Sequence, residues 1–262
     1  MKELIIEIPY GGLGDHLFHS HLPRIAKESG QYRNVYISSF SEFRHHENKE
    51  LIWELNPFID GFIDKHGNTC DLKQIVKYHP PNHENILNIL DAIMLKFDLD
   101  DGKRLHEPEI YFKPTFIEEY NKRIFDPNFL SFVGNVSKED MMWHIKNNHI
   151  EFDAIMKLRN EKALYIPKPN ENYFNTPTLK DFCNLIYSSR MFYCLTSGPA
   201  TLASALAKNA IVFYGEAQWA GFRHSQLHKY ILIQKSPKNR FLELIKTPFR
   251  ILKKSVLKTG QF

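Results

Sequence analysis

Residues 4–17, LIIEIPYGGLGDHL, decide the expected fold: an apolar run, a proline and three glycines lead directly into a helical pattern. Four of the first five residues of this stretch are aliphatic, which predicts a buried β-strand. Glycine lets a backbone approach a ligand closely, and the amino end of a helix attracts anions. A strand, a glycine turn and a helix in this order predict the first unit of a parallel α/β sheet, with a ligand at the turn.

The same alternation of strand and helix patterns continues along the chain. Strand patterns lie at 35–38, 58–63, 129–133, 163–166, 191–194 and 210–213. Helical patterns lie at about 15–29, 48–55 and 84–97, and three more begin near 138, 178 and 199. Such β-α units favour parallel sheets, and prolines at 108, 114 and 127 mark a boundary. We predict an α/β fold of two Rossmann-like domains facing a cleft, residues 1–125 and 126–234, followed by a basic helical tail at 235–262.

The composition excludes several classes of protein. Of the 262 residues, 43% are hydrophobic, which is enough for a sizeable core. No apolar run approaches the length of about 18 residues that a membrane-spanning helix needs. Three cysteines without CxxC spacing indicate neither a disulfide framework nor a structural zinc site, so we expect a reducing, cytoplasmic setting. The first apolar run is too short for a signal peptide.

Residues 235–262 carry eight cationic residues and one acidic residue, whereas residues 1–234 have a net charge of −3. Apolar residues alternate with these charges, and Pro248 interrupts the pattern. A basic amphipathic pattern predicts a segment lying on an anionic membrane surface. The alternative is a helix packed back on the protein. Nucleic acid is not an expected partner, because the remainder of the chain is slightly acidic and contains no recognisable nucleic-acid module.

The glycine turn matches neither of two common nucleotide-binding motifs. Leu17 stands where the third glycine of a dinucleotide fingerprint belongs, and the GK[ST] ending of a P-loop is missing. What remains is a carboxylate, Asp15, at the carboxyl edge of the predicted sheet, where a general base could take a proton from a sugar hydroxyl. The alternative is that Asp15 only caps its helix.

A second strand-turn-helix unit stands at residues 191–206, MFYCLTSGPATLASAL. Its small polar turn and alanine-rich helix would present backbone N–H groups and the Ser197 and Thr201 hydroxyls to a phosphate. A proline at the first helical position and small packing residues are also ordinary structural devices. The next strand runs into Gly215 and Glu216, which places a further loop at the same sheet edge.

Two stretches, GLGDHLFHSHLPRIAK at 12–27 and LIYSSRMFYCLTSGPATLASALAKNAIVFYG at 185–215, resemble the two hallmark segments of the bacterial heptosyltransferases, glycosyltransferase family 9. Residues 56–60, NPFID, resemble the NP-x-[IV]-D element of that family. The resemblance extends over about residues 3–234. It implies the GT-B fold, in which two Rossmann-like domains face a cleft.

The resemblance also implies an inverting glycosyl transfer that needs no metal or other cofactor, since helix dipoles and basic residues would stabilise the leaving nucleoside diphosphate. Asp15 would be the general base. Acceptor contacts would come from Tyr10, Gly12, Gly14 and His16. Donor and phosphate contacts would come from Lys138, Thr196, Ser197, Gly198, Pro199, Thr201, Gly215 and Glu216, with Lys168 as an alternative to Lys138.

The expected donor is a nucleotide-sugar, with ADP-heptose favoured over GDP-sugars and other nucleoside diphosphate sugars. The expected acceptor is a surface glycan or glycolipid, such as lipooligosaccharide or capsule, at the cytoplasmic face of the inner membrane. Two positions depart from the family pattern: Thr196 stands where an acid is usual, and Thr201 where a histidine is usual. A catalytically silent nucleotide- or glycan-binding protein is therefore the main alternative.

Other residue groups suggest further alternatives. Residues 11–18, GGLGDHLF, are similar to the opening of the α-1,2-fucosyltransferases, whose basic motif is matched only loosely by residues 221–224, GFRH. His16 and His19 share one helix face and could hold a metal, although a phosphate or acceptor contact is equally consistent with their position. Three residues that follow the Gly215 loop could stack on a base or pack at the surface: Trp219, Phe222 and Arg223.

Overall fold

The computed structural model describes residues 2–76, 88–159 and 162–241 and places them in two parallel β-sheets flanked by helices. The strands of the first sheet are β1 (Lys2–Glu7), β2 (Tyr32–Ser38), β3 (Gly61–Ile63) and β4 (Asn68–Thr69). Its helices are α1 (Leu13–His19), α2 (Leu22–Glu28), α3 (His46–Asn48), which continues as a π-helix at Lys49–Glu54, α4 (Leu72–Ile75) and α5 (Ile89–Lys96). The strand order is β3-β2-β1-β4.

The second sheet contains β5 (Arg123–Asp126), β6 (Ala154–Met156), β7 (Tyr173–Phe174), β8 (Met191–Leu195), β9 (Ala210–Tyr214) and β10 (His228–Leu232). Its helices are α6 (Lys138–Asn147), α7 (Leu179–Ser188) and α8 (Gly198–Ala205), with 3-10 turns at Glu118–Tyr120 and Ala220–Phe222. Residues 237–241 are helical. No helix in the described part of the chain is long and apolar enough to cross a membrane.

The second sheet has the strand order of a Rossmann fold, β7-β6-β5-β8-β9-β10, and the first sheet has the first four strands of the same order. In such sheets, ligands bind beyond the carboxyl ends of the strands where the order reverses. These points lie between β1 and β4 in the first sheet and between β5 and β8 in the second. The prediction of two Rossmann-like units is confirmed.

Helix starts follow local capping chemistry. The Ser137 hydroxyl accepts the Asp140 N–H at 3.1 Å at the start of α6, and the Thr178 hydroxyl accepts the Asp181 N–H at 3.0 Å at the start of α7. Each hydroxyl satisfies one of the N–H groups that a first helical turn leaves without a partner. The predicted starts of these two helices are confirmed.

Several predicted elements are placed differently. The helix predicted at 15–29 is divided into α1 and α2, because Pro23 in the first turn of α2 cannot donate a backbone hydrogen bond to the preceding turn. The strands predicted at 129–133 and 163–166 are wrong, since both stretches are loops. Val133, Ala163, Leu164 and Tyr165 are buried in them, whereas Leu130, Phe132 and Ile166 are exposed. The true strands, β5 and β6, are shorter. The start of the helix predicted at 84–97 lies outside the described residues, as does most of the basic tail, 242–262.

The two halves meet in one continuous core. Strand β5 pairs in the second sheet, so a division between residues 125 and 126 would cut through it, and the second unit begins at Arg123. Apolar residues from both halves form one buried cluster that includes Leu4, Leu17, Phe18, Phe192, Ala200 and Leu202. Helices α1 and α8 provide the central contact between the halves.

Polar contacts join the halves on either side of α1 and α8. The Asn88 Nδ2 atom donates to the His224 carbonyl at 2.8 Å. On the other side, the Leu179 N–H at the start of α7 donates to the Glu47 carboxylate at 2.9 Å. These contacts hold the carboxyl edges of the two sheets toward one another.

Gly134 allows the β5–α6 loop to pass over the loop that follows β9. Its φ is +102°, and a methyl group there would lie 2.3 Å from the Gly215 carbonyl oxygen. We expect Gly134→Ala to lower the free energy of unfolding by about 3 kcal/mol, since backbone strain and steric overlap add. Thermal unfolding followed by circular dichroism measures this. Gly102→Ala is the control, because Gly102 has a φ of +76° but open space around it. Equal losses in the two variants would contradict the steric argument.

Candidate active site

Asp15 lies in the first turn of α1, next to the glycine loop. Its Oδ2 atom accepts a hydrogen bond from the Gly12 N–H at 3.1 Å. A methyl group on Gly12 would lie 2.5 Å from this oxygen, so the carboxylate requires a glycine at position 12. Burial raises the pKa of Asp15 to about 6, although the Gly12 N–H and the Arg44 charge both lower it. Asp15 therefore caps its helix and can also exchange a proton near neutral pH.

The loop after β2 lies along the glycine loop, an arrangement that the sequence did not predict. The Glu42 N–H donates to the Ile8 carbonyl at 2.9 Å, and the Arg44 N–H donates to the Gly11 carbonyl at 3.1 Å. A methyl group on Gly11 would lie 2.8 Å from the Arg44 nitrogen, so only glycine permits this approach. The Arg44 guanidinium is thereby placed beside Asp15.

The amino end of α8 follows the carboxyl end of β8. Ser197 is the residue before the helix, and its hydroxyl makes no capping hydrogen bond, only a long 3.4 Å contact to the Leu195 carbonyl. Ser197, Gly198 and Pro199 are all partly exposed. A hydroxyl and the positive end of a helix dipole are the groups that bind a phosphate. The sequence prediction of a phosphate site here stays a prediction.

The amino ends of α1 and α8 lie against each other. A methyl group on Gly14 would lie 3.5 Å from the Gly198 Cα atom, and one on Gly198 would lie 3.4 Å from the Gly14 nitrogen. Asp15 directly follows Gly14, and Ser197 directly precedes Gly198. The first turn of α1, which contains Asp15, therefore lies against the amino end of α8 where the two halves of the chain meet.

Thr196 and Thr201 were expected as donor contacts, and the structure buries both. Thr196 is 7% exposed, and its hydroxyl is bonded to the Gln218 amide. Thr201 is 2% exposed within α8. Both side chains are thus packed within the protein, and their role as donor contacts stays a prediction.

Lys138 begins α6, whose amino end contacts residues 236–239 rather than α8. The Asp140 carboxylate of its first turn accepts the Ser236 N–H at 2.7 Å and the Asn239 amide at 2.9 Å. The alternative, Lys168, lines a groove at the opposite edge of the second sheet with Arg123 and Asp153. That groove lies at the starts of the strands, so Lys168 cannot reach the α8 site.

The loop after β9 is largely committed to internal contacts. The Gly215 N–H donates to the Val133 carbonyl at 2.8 Å. The Glu216 carbonyl accepts the Asn135 N–H at 2.7 Å, and its carboxylate pairs with Lys235 at 2.9 Å. Gly215 and Glu216 lie at the predicted sheet edge, and their role as donor contacts stays a prediction.

Tyr10 lies in the turn after β1, next to the glycines that precede α1. Its hydroxyl donates to the Asp71 Oδ1 atom at 2.8 Å, which raises the pKa of Tyr10. Asp71 follows β4, so the pair lies at the point where the strand order of the first sheet reverses. Sequence reasoning missed Asp71, which stands among loop residues that show no motif.

His16 is not available to an acceptor, and this prediction is wrong. Its side chain is fully buried, its Nε2 atom donates to the Glu42 carbonyl at 2.8 Å, and its Nδ1 atom accepts the Trp53 indole N–H at 3.0 Å. His19 is also fully buried. Within the described ranges, no group of three or more histidine, cysteine or acidic residues is placed to hold a metal.

The aromatic residues of the β9–β10 loop pack against the core. Trp219 and Phe222 form an edge-to-face pair with ring centroids 5.5 Å apart, and Phe222 also contacts Phe18. The Arg223 guanidinium stacks over the Tyr214 ring at 4.6 Å. The packing interpretation of Trp219 and Phe222 is confirmed.

No protein-family model and no curated protein matches the sequence. Solved structures do match. The iron-containing dodecameric glycosyltransferase TibC from enterotoxigenic E. coli aligns with a TM-score of 0.56 and 14% identity over 86% of this chain and 61% of TibC. A glycosyltransferase of family 9 from Veillonella parvula aligns with a TM-score of 0.53 and 11% identity over 94% of this chain and 89% of that protein.

The E. coli ADP-heptose lipopolysaccharide heptosyltransferase II aligns with a TM-score of 0.53 and 12% identity over 88% of this chain and 90% of that enzyme. The chain has the GT-B fold of the heptosyltransferases. This chain spans 61% of the length of TibC, which a second structure shows in complex with ADP-D-β-D-heptose. Within the GT-B fold, the contact between the amino ends of α1 and α8 lies between the two Rossmann-like units.

Proposed function

We propose that the chain is a glycosyltransferase of the heptosyltransferase-like family 9, which moves a sugar from a nucleoside diphosphate donor to a glycan hydroxyl. The observation that carries this proposal is the approach of Gly14 to Gly198, which brings the Asp15 carboxylate and the amino end of α8 to one place. The GT-B fold supports it. A base and an anion site at one cleft are the two groups that such a transfer requires.

The proposed reaction is a direct displacement. The Asp15 carboxylate accepts the proton of the acceptor hydroxyl, and the acceptor oxygen forms a bond to the anomeric carbon. The bond from that carbon to the diphosphate oxygen breaks on the opposite face, so the configuration inverts. The negative charge that develops on the leaving nucleoside diphosphate is stabilised by the Gly198 N–H, the Ser197 hydroxyl and the α8 dipole. This assignment makes a divalent ion unnecessary.

The partners remain as the sequence predicts them. ADP-heptose is the favoured donor, and the resolved ADP-D-β-D-heptose complex of TibC supports this choice. The acceptor is a glycan or glycolipid held mainly by the first unit, where Tyr10, Asp71 and the glycine loop line the cleft. Contact with an anionic membrane surface through the basic tail, residues 235–262, stays a prediction, because residues 242–262 lie outside the described part of the chain.

Thermal stabilisation by a panel of ADP, GDP, UDP, CDP and CMP, with and without magnesium, tests the donor site. A nucleotide at about 100 times its dissociation constant adds roughly 2.7 kcal/mol to the free energy of unfolding. We expect one nucleoside diphosphate, ADP first, to raise the melting temperature without magnesium. A panel in which no nucleotide does so would contradict the proposed donor site.

Ser197→Asp sharpens this experiment. Aspartate is a good residue to precede a helix, so the variant should fold, but its carboxylate would occupy the phosphate site and repel the ligand. We expect stabilisation by the nucleotide to disappear. Thr178→Asp, the same change before α7, is the matched control and should respond to nucleotide as the wild type does. A normal response of Ser197→Asp would place the phosphates elsewhere.

A further inference from the structure

Arg44 is the cationic neighbour of Asp15 at the amino end of α1. A methyl group on Gly12 would lie 2.5 Å from the Asp15 Oδ2 atom and 3.8 Å from the Arg44 Nη1 atom, so these two atoms are at most about 6 Å apart. The guanidinium and the carboxylate therefore both lie next to Gly12. At this separation a full charge still acts appreciably on a partly buried carboxylate.

The backbone of Arg44 is fixed in place. Its N–H donates to the Gly11 carbonyl at 3.1 Å, and its Cγ atom would lie 3.4 Å from a methyl group on Gly11. The neighbouring Phe43 ring stacks on the buried His16 at 4.6 Å. The guanidinium itself makes no hydrogen bond or ion pair with the described residues. The backbone and the first side-chain carbons of Arg44 are thus held in place, and its guanidinium charge can act on Asp15.

The elements around Asp15 also carry other titratable or charged groups. They are His16 and His19 on α1, Glu42, His45, His46 and Glu47 on the loop and helix after β2, Tyr10, Cys70 and Asp71 after β1 and β4, and Asp91 and Lys96 on α5. The first turn of α8 contains no titratable residue. Among all these groups, the Arg44 guanidinium is the charge that lowers the pKa of Asp15.

We propose that Arg44 is a positioning residue whose guanidinium keeps the Asp15 carboxylate ionised and so extends its action as a base to lower pH. The statement that Asp15 acts as a base rests on the proposed function, whereas the effect of the Arg44 charge on the Asp15 carboxylate does not. Without Arg44, burial would hold the proton on Asp15 at higher pH, and fewer molecules would carry an active base.

Carbon-13 NMR of labelled aspartate tests the pairing directly, with the Asp15 signal assigned from its absence in Asp15→Asn. We expect Arg44→Gln to raise the pKa of Asp15 by about half to one unit at low ionic strength. Arg44→Lys should restore most of the difference. Arg33→Gln, which removes an exposed arginine of β2, is the control and should leave the titration unchanged. An Asp15 titration that is the same in Arg44→Gln and wild type overturns the proposal.

The pH dependence of kcat/KM separates this inference from the proposed function. The acid limb should move upward with the Asp15 titration in Arg44→Gln, while the alkaline plateau stays near the wild-type value. A uniform loss across all pH values indicates a merely structural role and overturns the proposal. A shifted carboxyl titration with an unshifted acid limb would show that Asp15 is not the base, which contradicts the proposed function and leaves the charge pairing in place.

Discussion

Asp15→Asn is expected to lower glycosyl transfer by a factor of about 10² to 10⁴, the usual contribution of a general base. The asparagine oxygen can still accept the Gly12 N–H, so the helix cap and the fold should survive. It cannot accept the proton of the acceptor hydroxyl. Transfer is measured as release of the nucleoside diphosphate from the donor in the presence of acceptor, and nucleotide binding is measured separately by thermal stabilisation.

Asp181→Asn is the matched control for this variant. Asp181 also stands in the first turn of a helix, α7, and accepts a hydrogen bond from Thr178 at 2.7 Å. Asp181 has no role in the proposed reaction, so the activity of Asp181→Asn should match that of the wild type. An Asp15→Asn enzyme with at least half of wild-type activity would remove Asp15 from the mechanism. If the nucleotide binds but neither the wild type nor Asp15→Asn transfers sugar from the donor, the catalytically silent alternative is favoured.

Acid unfolding near pH 5 is the second large effect that we expect. Burial lowers the pKa of His16 and of His19 to about 4 and that of His224 to about 3, from an ordinary value near 6.5. Below pH 6.5 the unfolded chain takes up protons that the folded chain excludes, so the free energy of unfolding falls as the pH falls. At pH 5 this loss is about 2 kcal/mol for each histidine, or about 6 kcal/mol in total.

One histidine acts in the opposite direction. Although burial lowers the pKa of His106, its hydrogen bonds to Asp91 and Asp101 raise it overall, so its contribution is present at low pH and is lost as the pH rises. This offsets part of the loss. The remaining destabilisation is still comparable to the total stability of an ordinary domain, which is about 5–15 kcal/mol.

A pH titration of tryptophan fluorescence and near-ultraviolet circular dichroism measures this transition. His224→Leu removes a buried ionisable ring and should move the midpoint to lower pH. His66→Gln is the control, because the His66 side chain is 75% exposed. A chain that keeps its native signals down to pH 4 would contradict the expectation.

Sequence reasoning identified those parts of the fold that local chemistry determines. The aliphatic runs of β1 and β9 and the capping hydroxyls of Ser137 and Thr178 all act within a few residues of themselves. The wrong strands at 129–133 and 163–166 show the limit of this approach. A short apolar run can also form a loop, and only pairing with a distant strand distinguishes the two.

At the candidate active site, too, features set by local sequence could be predicted and features set by distant contacts could not. Asp15 and Ser197 each lie in or beside the first turn of a helix that follows a predicted strand. A parallel sheet places such helix starts at one edge, so a site at that edge could be anticipated. Arg44 could not, because its position depends on how the loop after β2 lies along Gly11. The burial of Thr196 could not be predicted from the sequence either, since its partner Gln218 stands 22 residues further along the chain.

The central claim is a diphosphate site at the amino end of α8 that faces Asp15. A crystal structure with the nucleoside diphosphate that stabilises the chain most, ADP by our expectation, tests it most directly. We predict phosphate oxygens within hydrogen-bonding distance of the Gly198 N–H and the Ser197 hydroxyl, on the side of Asp15. A diphosphate bound elsewhere, such as the groove beside Arg123 and Lys168 at the opposite edge of the sheet, would contradict the proposed active site.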